Sequence, residues 1–263
     1  MNTEKEDRFI LEEACPDCGN ESGRTIDMQR ITDKLDRFFA RDDLAGAEKL
    51  LLYWENESRT NSDDRGLLQI RSEQIGFYRR TGEKDKALAA VDEALSLIGK
   101  LGLETTVSGA TIMLNAATTM KAFGLARKAL DWYAAAGEIY RENLEPEDFR
   151  MAGFYNNLAT ALSELGLYSD AKKSYTKAAK ILEQRGDADG ELAVTYVNMA
   201  YLPDCDSEKF MKSAWALLDS DKLPRDGNYA FIASKCAPAF GQFGMTAIRD
   251  ELDKRKEEIY AGS

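Results

Sequence analysis

Two cysteines near the start of the sequence have the spacing of half a zinc site. Cys15 and Cys18 lie in the stretch ACPDCGN, and a glycine follows the second thiol. Two thiolates at this spacing can supply two of the four ligands of a tetrahedral zinc ion. A complete site would need two chains, because the sequence has no second CxxC pair and no histidine. The pair therefore indicates zinc shared between chains, a redox or regulatory thiol pair, or an inert segment.

The missing histidine also narrows the chemistry that this protein can do. The 263 residues include no His, so the commonest general base and every Ser–His or Cys–His nucleophile are absent. The sequence also has no phosphate-binding loop and no GxGxxG motif. With 35 Lys and Arg against 46 Asp and Glu, the net charge of −11 disfavours phosphate backbones and anionic lipid heads. We predict a protein that is not an enzyme, binds neither nucleic acid nor membrane, and needs no cofactor apart from the zinc alternative.

The distribution of apolar residues predicts a cytoplasmic protein. No run of about 18 apolar residues occurs, so no membrane span is expected. The first residues, MNTEKEDRFILEEA, are charged and lack an apolar segment of signal-peptide length. Four cysteines in a chain of this size are too few for a disulfide scaffold, which fits a reducing compartment.

A repeat of 42 residues organises most of the chain. Glycines recur at 42-residue intervals, and an alanine follows each of them by five positions; the glycines are Gly82, Gly124 and Gly166, and the alanines are Ala87, Ala129 and Ala171. Ala47 continues the alanine series by 40 residues. Coinciding glycines and alanines at one interval are typical of stacked structural repeats.

Each repeat has the pattern of two helices joined by a tight turn. Apolar residues three or four apart precede the glycine, as in Phe154, Leu158 and Leu162. Glycine can adopt the left-handed conformation that ends a helix. The alanine lets the second helix approach the first, and Tyr175 fills the wider gap one turn later. Neither helix can bury its apolar side alone, so neighbouring pairs must stack.

The stretch NNLATALSELGLYSDAKKSYTKAAKI resembles a tetratricopeptide repeat, with the long unit of kinesin light chain and of bacterial peptide-sensing regulators. This resemblance implies an all-α, right-handed superhelical solenoid of about six antiparallel helix pairs over residues 28–263, preceded by a tail of residues 1–27. The last two pairs are expected at 191–220 and 226–260. Pro238 predicts a kink or a short first helix in the sixth pair.

One polar position recurs on the first helices of the predicted pairs. In the tetratricopeptide-repeat proteins that this sequence resembles, the first helices line the concave groove. Counting nine residues back from each turn glycine gives Glu73, Asn115 and Asn157, and Asn198 aligns with them in the fifth pair. An asparagine amide both donates and accepts, so it can pair with the backbone of an extended peptide. The alternative is that these residues cap loops or face solvent.

Further polar residues lie at helical spacing from this series. Thr118 and Thr160 follow the asparagines by three positions, which places them on the same helix side. Cationic residues at the ends of the first helices could pair with ligand carboxylates, or could be ordinary surface charges; they are Lys121, Arg79 and Arg80.

We therefore predict a non-catalytic adaptor that grips a protein or peptide segment in its groove. The alternatives are a peptide sensor that acts through a separate effector chain, and self-assembly through zinc at Cys15 and Cys18. An adaptor for acidic chaperone tails is disfavoured, because Asp33 and Asp36 occupy places where that class has cations.

The zinc alternative predicts one zinc ion for every two chains in purified protein, and a mass that falls when a chelator is added. Elemental analysis combined with size-exclusion chromatography measures both quantities. Protein without zinc would exclude this alternative.

Overall fold

A computed structural model describes residues 26–39, 41 and 43–261, and every regular element in these ranges is an α-helix. The chain divides into two compact units at the Asn143–Leu144 bond. The described part of the N-terminal unit is residues 26–143, and that of the C-terminal unit is residues 144–261.

Each unit contains three consecutive helix pairs. In the N-terminal unit they are α1 (Met28–Phe39) with α2 (Leu44–Thr60), α3 (Asp64–Thr81) with α4 (Lys84–Lys100), and α5 (Val107–Ala122) with α6 (Ala126–Asn143). In the C-terminal unit they are α7 (Phe149–Glu164) with α8 (Tyr168–Glu183), α9 (Asp189–Ala200) with α10 (Ser207–Leu218), and α11 (Gly227–Gln242) with α12 (Thr246–Ala261). The six predicted pairs are confirmed.

The turn glycines have the predicted left-handed backbone. Gly82, Gly124 and Gly166 have φ of 77°, 80° and 74°, and Gly244 has 76° in the sixth pair. At Gly166 the backbone N–H donates to Ser163 O at 3.0 Å, which satisfies a carbonyl at the helix end. Most side chains would be strained at such a φ, so these four turns favour glycine.

The fifth pair makes its turn differently. Here α9 is a shorter helix of 12 residues, and Asp204 takes the positive φ of 57°. The thiol of Cys205 donates to Met199 O at 3.3 Å, and the Asp206 carboxylate accepts from Lys209 N at 3.0 Å to begin α10. Side-chain hydrogen bonds therefore replace glycine in closing this turn.

The repeated alanines lie where the two helices of a pair come closest. Ala47, Ala87, Ala129 and Ala171 are all 0% exposed. The residues four positions later are also buried and fill the gap where the helices diverge; they are Leu51, Val91, Tyr133 and Tyr175. The packing role that the repeat pattern predicted is confirmed.

Pro238 does not shorten its helix. α11 continues for 16 residues through the proline, so the expectation of a short first helix is wrong. Pro238 is exposed, and proline cannot donate to the Ser234 carbonyl, which lies four residues earlier on the exposed side of α11. Solvent can hydrate that carbonyl, which is why the interruption is tolerated here.

The last helix is held by apolar packing and by polar contacts, and its Ile248 and Ile259 pack against the core of the C-terminal unit. Leu252 is the one fully buried side chain of α12. The Arg255 guanidinium donates to Asp219 Oδ1 and Glu251 Oε1, both at 2.6 Å, and lies 5.2 Å from the Trp215 ring. The exposed side of α12 carries charged residues.

In the part of the chain that the structure describes, no helix combines the length and apolar character needed to cross a membrane.

Replacing Ala171 by Leu should destabilise the protein by about 1–3 kcal/mol, because the α7–α8 crossing has no room for a larger side chain. Urea denaturation measures the change. Ala216→Leu is the matched control, because Ala216 is exposed on α10. Equal stability of the two variants would contradict close packing at the crossing.

Candidate functional site

Three first helices of the C-terminal unit lie side by side. The Asn156 amide on α7 donates to Thr195 Oγ1 on α9 at 2.8 Å. The Tyr201 hydroxyl at the end of α9 donates to Gln242 Oε1 on α11 at 2.6 Å. These bonds join α7 to α9 and α9 to α11.

The sides of these helices that are not buried in the unit form a polar and aromatic strip, which we name the first-helix face. Its members recur three or four residues apart; they are Gly153, Asn157 and Thr160 on α7, Val194 and Asn198 on α9 with Tyr201 directly after that helix, and Phe231, Lys235 and Pro238 on α11. The structure thus brings Asn157 and Asn198 onto the same face.

The amides of Asn157 and Asn198 have no hydrogen bond with any described residue, although both side chains are half-buried. The neighbouring Asn156 uses its amide N–H to join two helices, and Asn143 donates to Ile139 O at 2.8 Å within its own helix. An amide without a protein partner keeps its full capacity to pair with a ligand or water.

In the N-terminal unit, the side chain of Asn115 likewise has no hydrogen bond to a described residue. It lies on α5 and is only 5% exposed. Its amide atoms are not among the buried polar atoms that lack a hydrogen bond in the described ranges, so water or a ligand can reach them. Glu73 is half-buried on α3, which packs beside α5.

The two threonines of the series bond to their own helices. Thr118 Oγ1 donates to Leu114 O at 2.8 Å and lies 3.2 Å from the Tyr133 hydroxyl. Thr160 Oγ1 donates to Asn156 O at 2.7 Å. Their hydroxyl protons are used within the protein, so toward a ligand these oxygens can serve as acceptors.

The cationic residues of the N-terminal unit take part in contacts between helices. Arg79 donates from Nη1 to Thr119 Oγ1 at 3.2 Å, which joins α3 to α5. The Arg80 guanidinium lies 4.7 Å from the Phe39 ring centroid, against α1. Lys121 is half-buried near the end of α5. These contacts support helix packing, while pairing of these cations with a ligand stays a prediction.

A half-buried ion network holds α3 against its neighbours. Arg71 on α3 donates to Glu55 Oε1 on α2 at 2.7 Å and to Glu93 Oε2 on α4 at 2.6 Å. Gln74, fully buried, donates to Glu55 Oε2 at 2.8 Å. Arg59 reaches Glu93 Oε2 at 2.7 Å. Such a network fixes the helix that carries Glu73, Arg79 and Arg80.

Burial of Glu93 opposes its ionisation, but hydrogen bonds from Arg59 and Arg71 outweigh this and lower the pKa of the carboxyl from its ordinary value of 4.5. The carboxylate is therefore the stable form of this group in the folded protein.

Sequence reasoning missed two residues of the C-terminal face. The nine-residue spacing from the turn glycine selects Asn157 and not its neighbour Asn156, and only the structure shows that Asn156 donates to Thr195. Lys235 lies nine residues before Gly244, so counting back from that glycine would have found it.

Cys15 and Cys18 lie outside the described residues, so shared zinc stays a prediction. Within the described ranges no three His, Cys, Asp or Glu side chains are grouped to hold a metal ion.

Several solved structures have this fold. The nearly identical TPR-like repeats of a kinesin light chain from Podosopora anserina match at 16% identity and a TM-score of 0.51, over 74% of this chain and 95% of that one. Apo RapI matches at 15% identity and 0.55, over 89% and 97%. NprR in complex with its cognate peptide NprX matches at 16% identity and 0.60, over 96% and 72%.

No protein-family model matches the sequence, and no curated protein matches it. At these identities the solved structures speak for the fold alone. The chain thus has the predicted all-α helical-repeat solenoid fold, and the structures that share it are TPR-like solenoids.

Acid should weaken the N-terminal unit through Glu93. A carboxyl whose folded pKa is below its unfolded pKa stabilises the fold above the unfolded value, and this contribution disappears as the pH falls through the folded pKa. Urea denaturation between pH 6 and pH 3 should therefore show a smaller loss of stability in Glu93→Gln than in the wild type. Glu138→Gln, exposed on α6, is the control and should follow the wild type.

Proposed function

We propose that this protein is a non-catalytic binding module whose first helices hold an extended segment of another protein. The observation that carries the proposal is the set of asparagine amides without hydrogen bonds to described residues, at Asn115, Asn157 and Asn198. All three occur on first helices, which are the helices that the resemblance predicts to line the groove.

The chemistry of these amides suits a peptide backbone. Each can donate one hydrogen bond and accept another, which matches the alternating C=O and N–H groups of an extended chain. A net contribution of about 0.5–1.5 kcal/mol per hydrogen bond gives modest affinity without reading side chains. Charge would add little, because the inner turns of α7 and α9 carry no charged residue.

The C-terminal unit also offers room and apolar contact for such a chain. A Cβ on Gly153 would meet no atom within 4 Å, and Gly153 lies one turn before Asn157 on the same helix side. Mid-helix glycine costs about 0.5–1 kcal/mol relative to alanine, and packing does not require it here. Close approach of a ligand would explain it, with Val194, Tyr201 and Phe231 as apolar neighbours.

A peptide-sensing role through a separate effector chain remains the alternative. NprR, which shares the fold of this chain, was solved in complex with its cognate peptide. An effector would have to be supplied by another protein. Cytoplasmic location and the absence of nucleic-acid and membrane partners stay predictions.

Panning a random library of linear twelve-residue peptides on the full chain tests the proposal. The wild type should enrich a family of related peptides. The triple variant Asn115→Ala, Asn157→Ala, Asn198→Ala should bind the best peptide at least tenfold more weakly, which corresponds to about 1.4 kcal/mol lost. Isothermal titration calorimetry measures the affinities.

Asn56→Ala is the matched control, because Asn56 is exposed on the second helix α2. Gly153→Ala should raise the thermal midpoint and yet weaken peptide binding. A folded triple variant that binds the selected peptides as well as the wild type would refute the proposal, and so would a wild type that enriches none.

A further inference from the structure

The second helix of the first pair has an exposed apolar surface. Leu52 and Tyr53, in the middle of α2, are 47% and 55% exposed. Ala45 lies two turns before Leu52 on the same helix side and is exposed as well. We name Ala45, Leu52 and Tyr53 the α2 patch.

The repeat shows that this patch is particular to α2. Leu52 and Tyr53 lie five and six residues after the buried Ala47. At the same two places the other second helices of the alanine series have charged, polar or small residues; they are Asp92 and Glu93 on α4, Ala134 and Ala135 on α6, and Thr176 and Lys177 on α8. Among these four helices, α2 alone has large apolar side chains there.

Tyr53 lies on the side of its helix where a preceding pair would pack. Glu93 has the corresponding place on α4, and its Oε2 accepts from Arg59 on α2, the second helix of the preceding pair, at 2.7 Å. No described helix precedes α1, so this side of α2 is at the N-terminal end of its unit. The ends of a solenoid need a polar outer surface, and an apolar patch there therefore needs a cover.

The residues that precede α1 contain a matching apolar segment. Phe9, Ile10 and Leu11 are three consecutive large apolar residues, and no other such run occurs in residues 1–25. Burial against the α2 patch would remove apolar surface from water on both sides.

The start of the described chain allows this segment to reach the patch. A Cβ on Gly66 would come within 2.7 Å of Ile26 Cδ1, so Ile26 lies beside the first turn of α3, at the same edge of the pair as the end of α2. Leu52 lies roughly 12 Å from that end along the helix axis. The residues between Leu11 and Ile26 can span up to about 50 Å.

Charge agrees with this pairing. Glu12 and Glu13 follow Leu11 directly. Lys49 is exposed on α2, one turn before Leu52 and Tyr53. The acidic end of the segment can therefore lie against the ammonium while the apolar residues cover the patch.

We propose that Phe9, Ile10 and Leu11 pack on the α2 patch and cap the N-terminal end of the solenoid. The segment takes the place that the second helix of the preceding pair has against α4. Because the linker is short, the effective concentration of the segment is of the order of millimolar, which favours it over a separate chain. The inference is independent of the asparagines, since those lie on first helices and the patch lies on a second helix.

Photo-cross-linking of the full chain tests the proposal. The chain is prepared with p-benzoylphenylalanine in place of Phe9 and irradiated, and mass spectrometry locates the cross-link. It should join residue 9 to the tryptic peptide Leu50–Arg59 of the same chain. A cross-link to a second copy, which doubles the mass on a denaturing gel, would overturn the inference, and so would one to a helix other than α2 or none at all.

Leu52→Ser combined with Tyr53→Ser should lower the cross-linked fraction about tenfold, because the apolar surface under the segment is lost. Leu167→Ser combined with Tyr168→Ser is the matched control, since it removes the same side-chain types at 39% and 46% exposure from the start of α8. This control should cross-link like the wild type. Equal cross-linking in the two double variants would contradict the proposed contact.

Trypsin gives a second readout that needs no photo-reactive residue. Cleavage after Arg8, directly before Phe9, should be about tenfold faster in the variant with Leu52→Ser and Tyr53→Ser than in the wild type, because only the undocked segment is cut. The control variant should be cut at the wild-type rate. Equal cleavage in all three proteins would refute docking of the segment on α2.

Discussion

The close approach of the two helices in each pair depends on a small buried side chain near their shared turn. Ala87, Ala129 and Ala171 have no exposed surface, and a buried residue one turn later fills the gap where the helices separate. A larger residue at these places would push the helices apart and move every side chain on the first helix. The placement of polar residues on the exposed sides therefore follows from alanine packing on the buried sides.

Because of this packing, one side of each first helix is buried in the core and the other side is accessible to a ligand. On α11, Ile232, Ala233 and Cys236 are buried in the core of the C-terminal unit, whereas Phe231 and Lys235 are not. On α7, Phe154 is likewise buried in the core, whereas Asn157 lies on the less buried side of the helix. Because the helical period repeats the division at each turn, a binding surface can change its chemistry without changing the core.

Hydrogen bonding separates the polar residues of the site into two groups. Thr118 and Thr160 donate to backbone carbonyls of their own helices, whereas Asn156 donates to Thr195 and its Oδ1 is buried without a hydrogen bond to a described residue. Asn157 and Asn198 lack such partners among the described residues, so ligand binding would not break an existing protein hydrogen bond. This difference between adjacent residues makes Asn157, and not Asn156, the stronger candidate for ligand contact.

The sequence by itself determined the helix pairs, their turns and their buried alanines, because these depend on local periodicity and on the backbone freedom of glycine. It also placed the asparagine series, since one helix position repeats with the period. Of the two outcomes expected at Pro238, a short helix was wrong, because exposure of the freed carbonyl lets the helix continue. Tertiary structure decided which asparagine amides have hydrogen-bond partners and which residues Arg71 and Arg79 donate to. The residues that accept from these arginines lie on other helices, and only packing brings them together.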